Sequence, residues 1–248
     1  MIGIIFFKLR KCTQKNPYLE VLVKKIYNEK DYKNIQQRCW RGIMRNIIFD
    51  LGRVLLNFEP IKYLQTLYPP EKVQMLHENI FLSKEWLDLD RGIITNEEAI
   101  RIITKRCPDD EKDIKNVINN WPQILTPIEG SIKILAALKR QGYPLYLLSN
   151  FHKEAFNQVL EKYAFFKSFD GKVVSYQVSL LKPEKEIYVH LCNKYNLKAE
   201  TSLFIDDTLA NIHAAKKLGF ETIQFKNSKQ LSQKLNHMKI IDADNFNM

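Results

Sequence analysis

The chain has 248 residues, of which 45% are hydrophobic and 27% charged, and it carries a formal net charge of +10. This length can bury one large core, or a core with a smaller inserted domain, without stabilising cross-links. The four cysteines are scattered with no C-x-x-C pair. That spacing excludes a zinc pattern and a disulfide framework, and it indicates reduced thiols in a cytoplasmic protein.

The excess positive charge lies in residues 1–43, which hold ten Lys or Arg and three Asp or Glu, a net +7. The remaining residues carry only +3, so no nucleic-acid partner is expected for the main domain. Residues 1–7 are apolar but too short to span a bilayer, so no membrane partner is predicted. The segment is a basic arm, a targeting peptide or an extension upstream of a true start at Met44. We favour the extension, because the strand pattern begins directly after Met44.

Five apolar runs predict β-strands, at residues 46–50, 144–149, 172–175, 202–206 and 221–225. Helical patterns separate the later strands, at residues 130–141, 153–163, 184–195 and 208–218. Strands that alternate with helices favour a parallel sheet with helices on both faces. The predicted fold class is therefore α/β, with a Rossmann-like core built from residues 44–60 and 129–240.

Residues 61–128 interrupt this alternation and contain no good strand pattern. Helices are predicted there at residues 61–67, 70–79, 83–89, 95–106 and 109–120. An insertion directly after the first strand lies on the side of the sheet where the strands end, so we expect a helical cap over a pocket. The alternative is that these helices only pack against the core and have no role at the site.

Acidic residues end two of the predicted strands. Asp50 follows the first strand, and Asp206 and Asp207 end the fourth. An isolated Asp at such a position is usually a turn or helix cap. Adjacent carboxylates repel each other unless a cation compensates, and Mg²⁺ with oxygen ligands is the usual solution. We therefore expect Asp50, Asp207 and a main-chain carbonyl to hold Mg²⁺, although Asp207 also fits an ordinary helix N-cap.

Other polar residues follow strands in the same way. Lys182, on a loop before a helix that Pro183 is expected to open, would pair with Asp50 and with a phosphate group. Ser149 and Asn150 offer a hydroxyl and a backbone N–H close to a helix start, which suits a phosphate oxygen. Since the carboxyl ends of parallel strands share one edge, these residues are expected to converge there.

In order and spacing these groups resemble the haloacid dehalogenase-like superfamily of hydrolases, over about 200 residues from Met44 to near Phe225. The chain is similar in particular to capped phosphatases related to the N-terminal domain of soluble epoxide hydrolase and to bacterial glucose-1-phosphate phosphatases. The shared stretches are Phe49-Asp-Leu-Gly-x-Val54, Leu148-Ser-Asn150, Lys182-Pro-Glu-x-x-Ile-Tyr188, Phe204-Ile-Asp-Asp207 and Asn211-Ile-x-Ala-Ala215.

The resemblance implies a Mg²⁺-dependent phosphatase in which Asp50 is the nucleophile and forms an aspartyl-phosphate that water then hydrolyses. Lys182 would stabilise charge and bind phosphate together with Ser149 and Asn150. Asp207, with Asp206 behind it, would hold the metal. The expected partner is a small phosphorylated metabolite, with sugar phosphates favoured, and the expected state is a monomer or weak homodimer.

Gly52 departs from the family pattern, because most of these phosphatases carry a second Asp two residues after the nucleophile. Its carbonyl can still bind the metal, but it supplies no general acid, a group that typically contributes about 10²- to 10⁴-fold. The group that replaces this acid is not identified by the sequence. Two alternatives therefore stay open: a metal-independent 2-haloacid dehalogenase, and a catalytically weak binding or regulatory protein.

Three further residues are candidates for substrate selection. Trp86 and Arg91 lie in the cap, in a stretch that resembles a pocket-lining segment of the family. The alternative is an aromatic that anchors the cap helices, with Arg91 paired to Asp88 or Asp90. His152 follows Asn150 and would contact substrate, or else it is a solvated residue at a helix start.

Overall fold

The computed structural model describes residues 44–241. The segment 1–43, which the sequence predicts to be an extension, lies outside the described residues. Within the described part the strands are β1 (Asn46–Phe49), β2 (Leu145–Ser149), β3 (Gly171–Val174), β4 (Ser202–Asp206) and β5 (Glu221–Gln224).

The five strands form one parallel sheet in the order β3-β2-β1-β4-β5. The central strand β1 thus pairs with β2 on one side and with β4 on the other. Between β1 and β4 the Asn46 amide donates to the Ser202 hydroxyl, 3.1 Å away, across 156 residues of sequence. The predicted α/β class with a Rossmann-like parallel sheet is confirmed.

The strands are apolar on both faces because each face is covered. Ile47 and Phe49 of β1 belong to one buried cluster, whereas Ile48 between them belongs to a second cluster on the opposite face. The same alternation in β4 places Leu203 and Phe204 in different clusters. Continuous apolar runs of this kind are typical of parallel strands between two helical layers.

The helices of the sheet layers connect successive strands or follow the last one. They are α6 (Glu129–Arg140), α7 (Lys153–Lys162), α8 (Ser175–Val178), α9 (Lys185–Tyr195), α10 (Leu209–Lys217) and α11 (Ser228–His237). Pro183 does not open α9 as predicted. That helix begins at Lys185 after the N-cap residue Glu184, and Pro183 lies in the preceding loop after a cis peptide bond.

Between β1 and α6 lies a helical insertion, which we define as residues 60–124. Its α-helices are α1 (Pro60–Gln65), α2 (Pro70–Leu76), α3 (Lys84–Arg91), α4 (Asn96–Arg106) and α5 (Glu111–Asn120), with a π-helical turn at His77–Phe81 and 3₁₀ turns at Pro108–Asp110 and Trp121–Ile124. The predicted helix at 70–79 is thus shorter, because the π-helical turn replaces its last residues.

Local sequence explains the ends of the insertion helices. Thr95 accepts a bond from Glu98 N, and the Glu98 side chain accepts one from Thr95 N, a capping box that opens α4. The hydroxyl of Ser83 caps α3, which ends at Gly92 in the left-handed conformation. None of the described helices combines the length and apolar character needed to cross a bilayer.

Candidate active site

The site lies at the carboxyl edge of the sheet, where strand order changes direction. From β1 the chain proceeds to β2 and β3 on one side, and then returns to β4 and β5 on the other. Such a reversal opens a crevice between the two central strands. Asp50 follows β1 on one wall of this crevice, and its amide donates to Ile205 O of β4 at 2.9 Å.

Three carboxyl groups converge in this crevice. Oxygen atoms of Asp50, Asp206 and Asp207 all lie within 4.8 Å of one another, close enough to ligate one metal ion. Burial raises the pKa of Asp50 to about 7, against the attraction of Lys182 and with added repulsion from the other two acids. The pKa of Asp207 is also raised, first by burial and then by Asp206. The hard oxygen donors and their mutual repulsion fit a divalent cation.

Lys182 joins two of these acids. Its Nζ lies 2.7 Å from Asp50 Oδ1 and 2.7 Å from Asp206 Oδ2, and the lysine is buried. Burial alone would lower the pKa of this amine, but the attraction of Asp206 and Asp50 outweighs it and raises the pKa. Lys182 is therefore a fixed positive charge beside Asp50, as the sequence predicts.

The side-chain amide of Asn150 holds the Lys182 backbone in place. Its Oδ1 accepts from Lys182 N at 2.8 Å, and its Nδ2 donates to Lys182 O at 3.0 Å. Asn150 also lines the cleft. Ser149 is buried, with its hydroxyl 3.4 Å from the Asn150 carbonyl. Their roles as phosphate ligands stay predictions, and the structure adds that Asn150 positions Lys182.

Asp206 is fully buried and engaged on both oxygens. Oδ2 accepts from Lys182, Oδ1 accepts from Thr208 N at 2.8 Å, and the Asn211 amide bonds to both oxygens at 3.1 Å. Asp50 and Asp207, in contrast, line the cleft together with the backbone of Gly52. Of the three clustered acids, Asp50 and Asp207 thus line the cleft, and Asp206 lies behind them.

The insertion and the loops after β1 and β2 provide an aromatic wall of the cleft. Phe58, Trp86, Trp121 and Phe151 form this aromatic wall. Trp86 and Trp121 have ring centroids 4.9 Å apart, and the Phe58 ring stacks on Trp86 at 6.1 Å. Trp86 thus lines the cleft and also packs against Trp121 of the insertion. Substrate selection by Trp86 stays a prediction.

The alternative interpretation, in which Arg91 pairs with Asp88 or Asp90, is wrong. The guanidinium of Arg91 instead contacts both carboxylate oxygens of Glu184 and donates to Ser179 O at 3.0 Å. It therefore joins α3 to the loop that carries Lys182. Substrate selection by Arg91 stays a prediction.

The interpretation of His152 as a solvated residue is wrong. His152 is 1% exposed, and its ring centroid lies 4.2 Å from that of Trp86 and 5.2 Å from that of Trp121. Burial lowers its pKa to about 3, so the imidazole is neutral. It lies against Asp90, with Nε2 3.4 Å from Oδ1. The sequence hides this burial because both tryptophans come from the insertion.

Several cleft residues were missed by sequence reasoning. They are Arg53, Phe58, Asp90, Trp121, Phe151, Thr208 and Asn211. Arg53 lies 3.8 Å from Asp207 through its Nη1 and Oδ2 atoms. Asp90 carried a usable signal, because it follows Trp86 by four residues on α3 and such residues share a helix face.

Comparison with known proteins agrees with this arrangement. A family model described as haloacid dehalogenase-like hydrolase matches residues 44–219, well over half of the chain. The chain belongs to the haloacid dehalogenase-like hydrolases. The predicted membership of this superfamily is confirmed, and the chain is accordingly a hydrolase.

Among similar proteins, a sesquiterpene phosphatase of Aspergillus oryzae is 26% identical over 73% of this chain and 89% of its own length. A D-ribitol-5-phosphate phosphatase of Bacteroides thetaiotaomicron is 26% identical over 78% of this chain and 97% of its own length. A crystal structure from B. thetaiotaomicron, a HAD family enzyme in complex with magnesium and inorganic phosphate, shares the fold with a TM-score of 0.60. It is 24% identical and covers 74% of this chain and 95% of its own.

Proposed function

We propose that this haloacid dehalogenase-like hydrolase is a Mg²⁺-dependent phosphatase that hydrolyses small phosphomonoesters through an aspartyl-phosphate on Asp50. The observation that carries the proposal is the cluster itself. Oxygen atoms of three carboxyl groups lie within 4.8 Å of one another, and the amine of Lys182 lies 2.7 Å from two of these groups, Asp50 and Asp206. Two relatives that the chain matches over most of their own length are named as phosphatases, which supports the same activity.

The metal would be held by Asp50, Asp207 and the carbonyl of Gly52, with Asp206 behind them. Bound there, Mg²⁺ offsets negative charge on the acids and polarises a phosphate oxygen. Lys182 stabilises the transferring phosphoryl group and, through Asp206, keeps a fixed position. Asp50 attacks phosphorus as a carboxylate, and its position beside Lys182 favours that charged form.

The substrate class follows from the aromatic wall. Aromatic faces stack on the C–H faces of sugar rings, which agrees with the sugar phosphates that the sequence favours. They also pack against apolar alcohols, and one relative is a sesquiterpene phosphatase. We therefore propose sugar phosphates first and phosphate esters of apolar alcohols second. The monomeric or weakly dimeric state and the cytoplasmic location stay predictions.

The proposal is tested by a screen of phosphate esters with and without Mg²⁺. The panel contains sugar 1-phosphates, alditol phosphates, a terpenoid monophosphate and para-nitrophenyl phosphate. Hydrolysis that EDTA abolishes and Mg²⁺ restores is expected, and Asp50→Asn should abolish it. Halide release from a 2-haloacid that resists EDTA would instead establish the dehalogenase, and specific binding of a phosphate ester without turnover would establish the regulatory protein.

A further inference from the structure

Gly52 leaves a gap where the family usually carries a second acid. A Cβ placed on Gly52 would meet no atom of the described residues within 4 Å. The backbone there is not in the left-handed region that demands glycine. The position therefore borders open space in the cleft, and a carboxyl group from another wall has room to act there.

Asp90 of α3 is such a carboxyl group. Among the described residues that line the cleft, the acids are Asp50, Asp90 and Asp207, and the phosphate chemistry proposed above uses the first and the last. The Asp90 side chain is 13% exposed. Asp90 thus lines the same cleft as Asp50, and the proposed steps give it no role so far.

The position of Asp90 is fixed by the core. The hydroxyl of Ser175, on α8, donates to the Asp90 carbonyl and accepts from Phe151 N at 2.9 Å. Asp90 Oδ1 lies 3.4 Å from Nε2 of the neutral His152 ring. A carboxyl group held this way on a helix is pre-oriented toward the cleft.

The surroundings of Asp90 favour its neutral form. Burial raises its pKa to about 8, since the attraction of Lys182 is the smaller effect and Asp50 adds repulsion. A carboxyl group that keeps its proton at neutral pH can donate it to a leaving oxygen. The geometry and the protonation state therefore agree.

We propose that Asp90 is the general acid and base of this enzyme and replaces the missing acid at Gly52; the inference rests on the proposed phosphatase function. In the first step an Asp50 oxygen forms a bond to phosphorus while the bond from phosphorus to the ester oxygen breaks. The electron pair goes to that oxygen, which takes the proton of Asp90 and leaves as an alcohol.

In the second step the Asp90 carboxylate accepts a proton from water as the water oxygen attacks phosphorus. The bond from Asp50 to phosphorus breaks, and its electron pair returns to the Asp50 carboxylate. Inorganic phosphate leaves, and Asp90 is neutral again. Atoms and charge balance over the cycle, with one ester and one water consumed.

The test compares Asp90→Asn with the native enzyme on two substrates that differ in leaving group. A primary alkyl phosphate needs a proton on its leaving oxygen, whereas 2,4-dinitrophenyl phosphate does not. We expect kcat/KM to fall about 10²- to 10⁴-fold for the alkyl ester and to stay nearly unchanged for the dinitrophenyl ester. Since the second step also loses its base, the variant should release one equivalent of dinitrophenolate in a burst before slow turnover.

Two further variants complete the test. Asp88→Asn, on the same helix but paired with Lys84, is the matched control and should behave like the native enzyme. Gly52→Asp in the Asp90→Asn background places a carboxyl group in the open space and should restore alkyl phosphate hydrolysis. Recovery would show that the loss in Asp90→Asn comes from the missing carboxyl group and not from a damaged fold.

The inference is overturned if Asp90→Asn leaves both substrates unaffected, or if it reduces both equally without a burst. Failure of the proposed function is a separate result, because the native protein would then hydrolyse neither ester, or Asp50→Asn would retain the hydrolysis of both. If Asp50→Asn is inactive and Asp90→Asn affects both substrates equally without a burst, only the role proposed for Asp90 is rejected.

Discussion

The amine of Lys182 is the positive charge that compensates the buried carboxylates of the site. It is buried between Asp50 and Asp206, and Asp206 is itself fully buried. Removal of one partner from a buried ion pair leaves an uncompensated charge and typically costs about 3–5 kcal/mol. We therefore expect Lys182→Met to lower the free energy of unfolding by that amount, measured by urea denaturation.

The double variant Lys182→Met with Asp206→Asn separates charge from packing. It removes the stranded carboxylate, so stability should return in part while activity stays absent. Lys62→Met is the matched control, because Lys62 pairs with Glu59 on the surface and such pairs contribute at most about 1 kcal/mol. A Lys182→Met protein as stable as the control would contradict the assigned charge arrangement.

Asp90 gives a prediction for stability against pH. Its folded pKa of about 8 exceeds the ordinary 3.8. The neutral Asp90 side chain therefore contributes its full share to the free energy of unfolding below about pH 4, and this contribution is lost as pH rises through about 8, because ionisation is easier in the unfolded chain. Asn cannot ionise, so the Tm of Asp90→Asn minus that of the native protein should increase between pH 5 and 9 in metal-free buffer, by a few degrees.

Lys182, Asp50 and the neutral His152 face Asp90 in both proteins, and their contributions largely cancel in this difference. A Tm difference between Asp90→Asn and the native protein that stays constant from pH 5 to 9 would contradict the raised pKa of Asp90 in the folded protein.

Residues next to strand ends were predictable, whereas residues brought in by packing were not. Asp50, Lys182 and Asp207 follow strands or precede a helix, and parallel strands place such positions at one edge. Asp90 and His152 approach each other only because α3 packs over the loop after β2. Nothing local in the sequence fixes that approach, so the burial of His152 was missed.

At the scale of elements, the contact between α3 and α8 helps to position Trp86 of the aromatic wall. Gly92 ends α3 with φ +73°, and a Cβ there would lie 2.6 Å from the Tyr176 carbonyl oxygen. Gly92→Ala should therefore lower the free energy of unfolding in two ways. Overpacking against Tyr176 costs about 1–3 kcal/mol, and the left-handed backbone conformation of an alanine costs about 1–2 kcal/mol more. Because α3 carries Trp86 and Asp90, kcat/KM should fall as well.

Gly142→Ala is the matched control for this contact. Its φ is +80°, but a Cβ there meets nothing within 4 Å among the described residues. It should show the backbone strain alone, with unchanged kcat/KM. Equal unfolding free energies for the two variants would mean that α3 and α8 do not pack as closely as described.

The elements themselves were predicted well where the pattern is strong. Each of the five strands lies within one residue of its predicted bounds, because apolar runs of four or five residues end at polar or turn residues. The ends of helices were less accurate in the insertion. The π-helical turn at His77–Phe81 continues the helical periodicity, so the sequence offers no signal that the hydrogen bonding changes there.

At the scale of the whole molecule, residues 44–241 contain the five strands described, both buried clusters and every residue of the proposed site. We therefore expect a chain that begins at Met44 to fold and to keep its kcat/KM. The comparison uses circular dichroism and the best substrate of the phosphate ester screen. Loss of folding or activity would show that residues 1–43 are part of the working enzyme.

The pairing of β1 with β4, whose partners Asn46 and Ser202 are 156 residues apart, has a consequence for how activity is regained after denaturation. Asp50 and Asp207 meet only when β4 has docked beside β1. Partly folded intermediates are therefore catalytically silent, however much helix they contain. On dilution from urea, far-UV ellipticity should recover first, and phosphate release should appear only with the slowest phase.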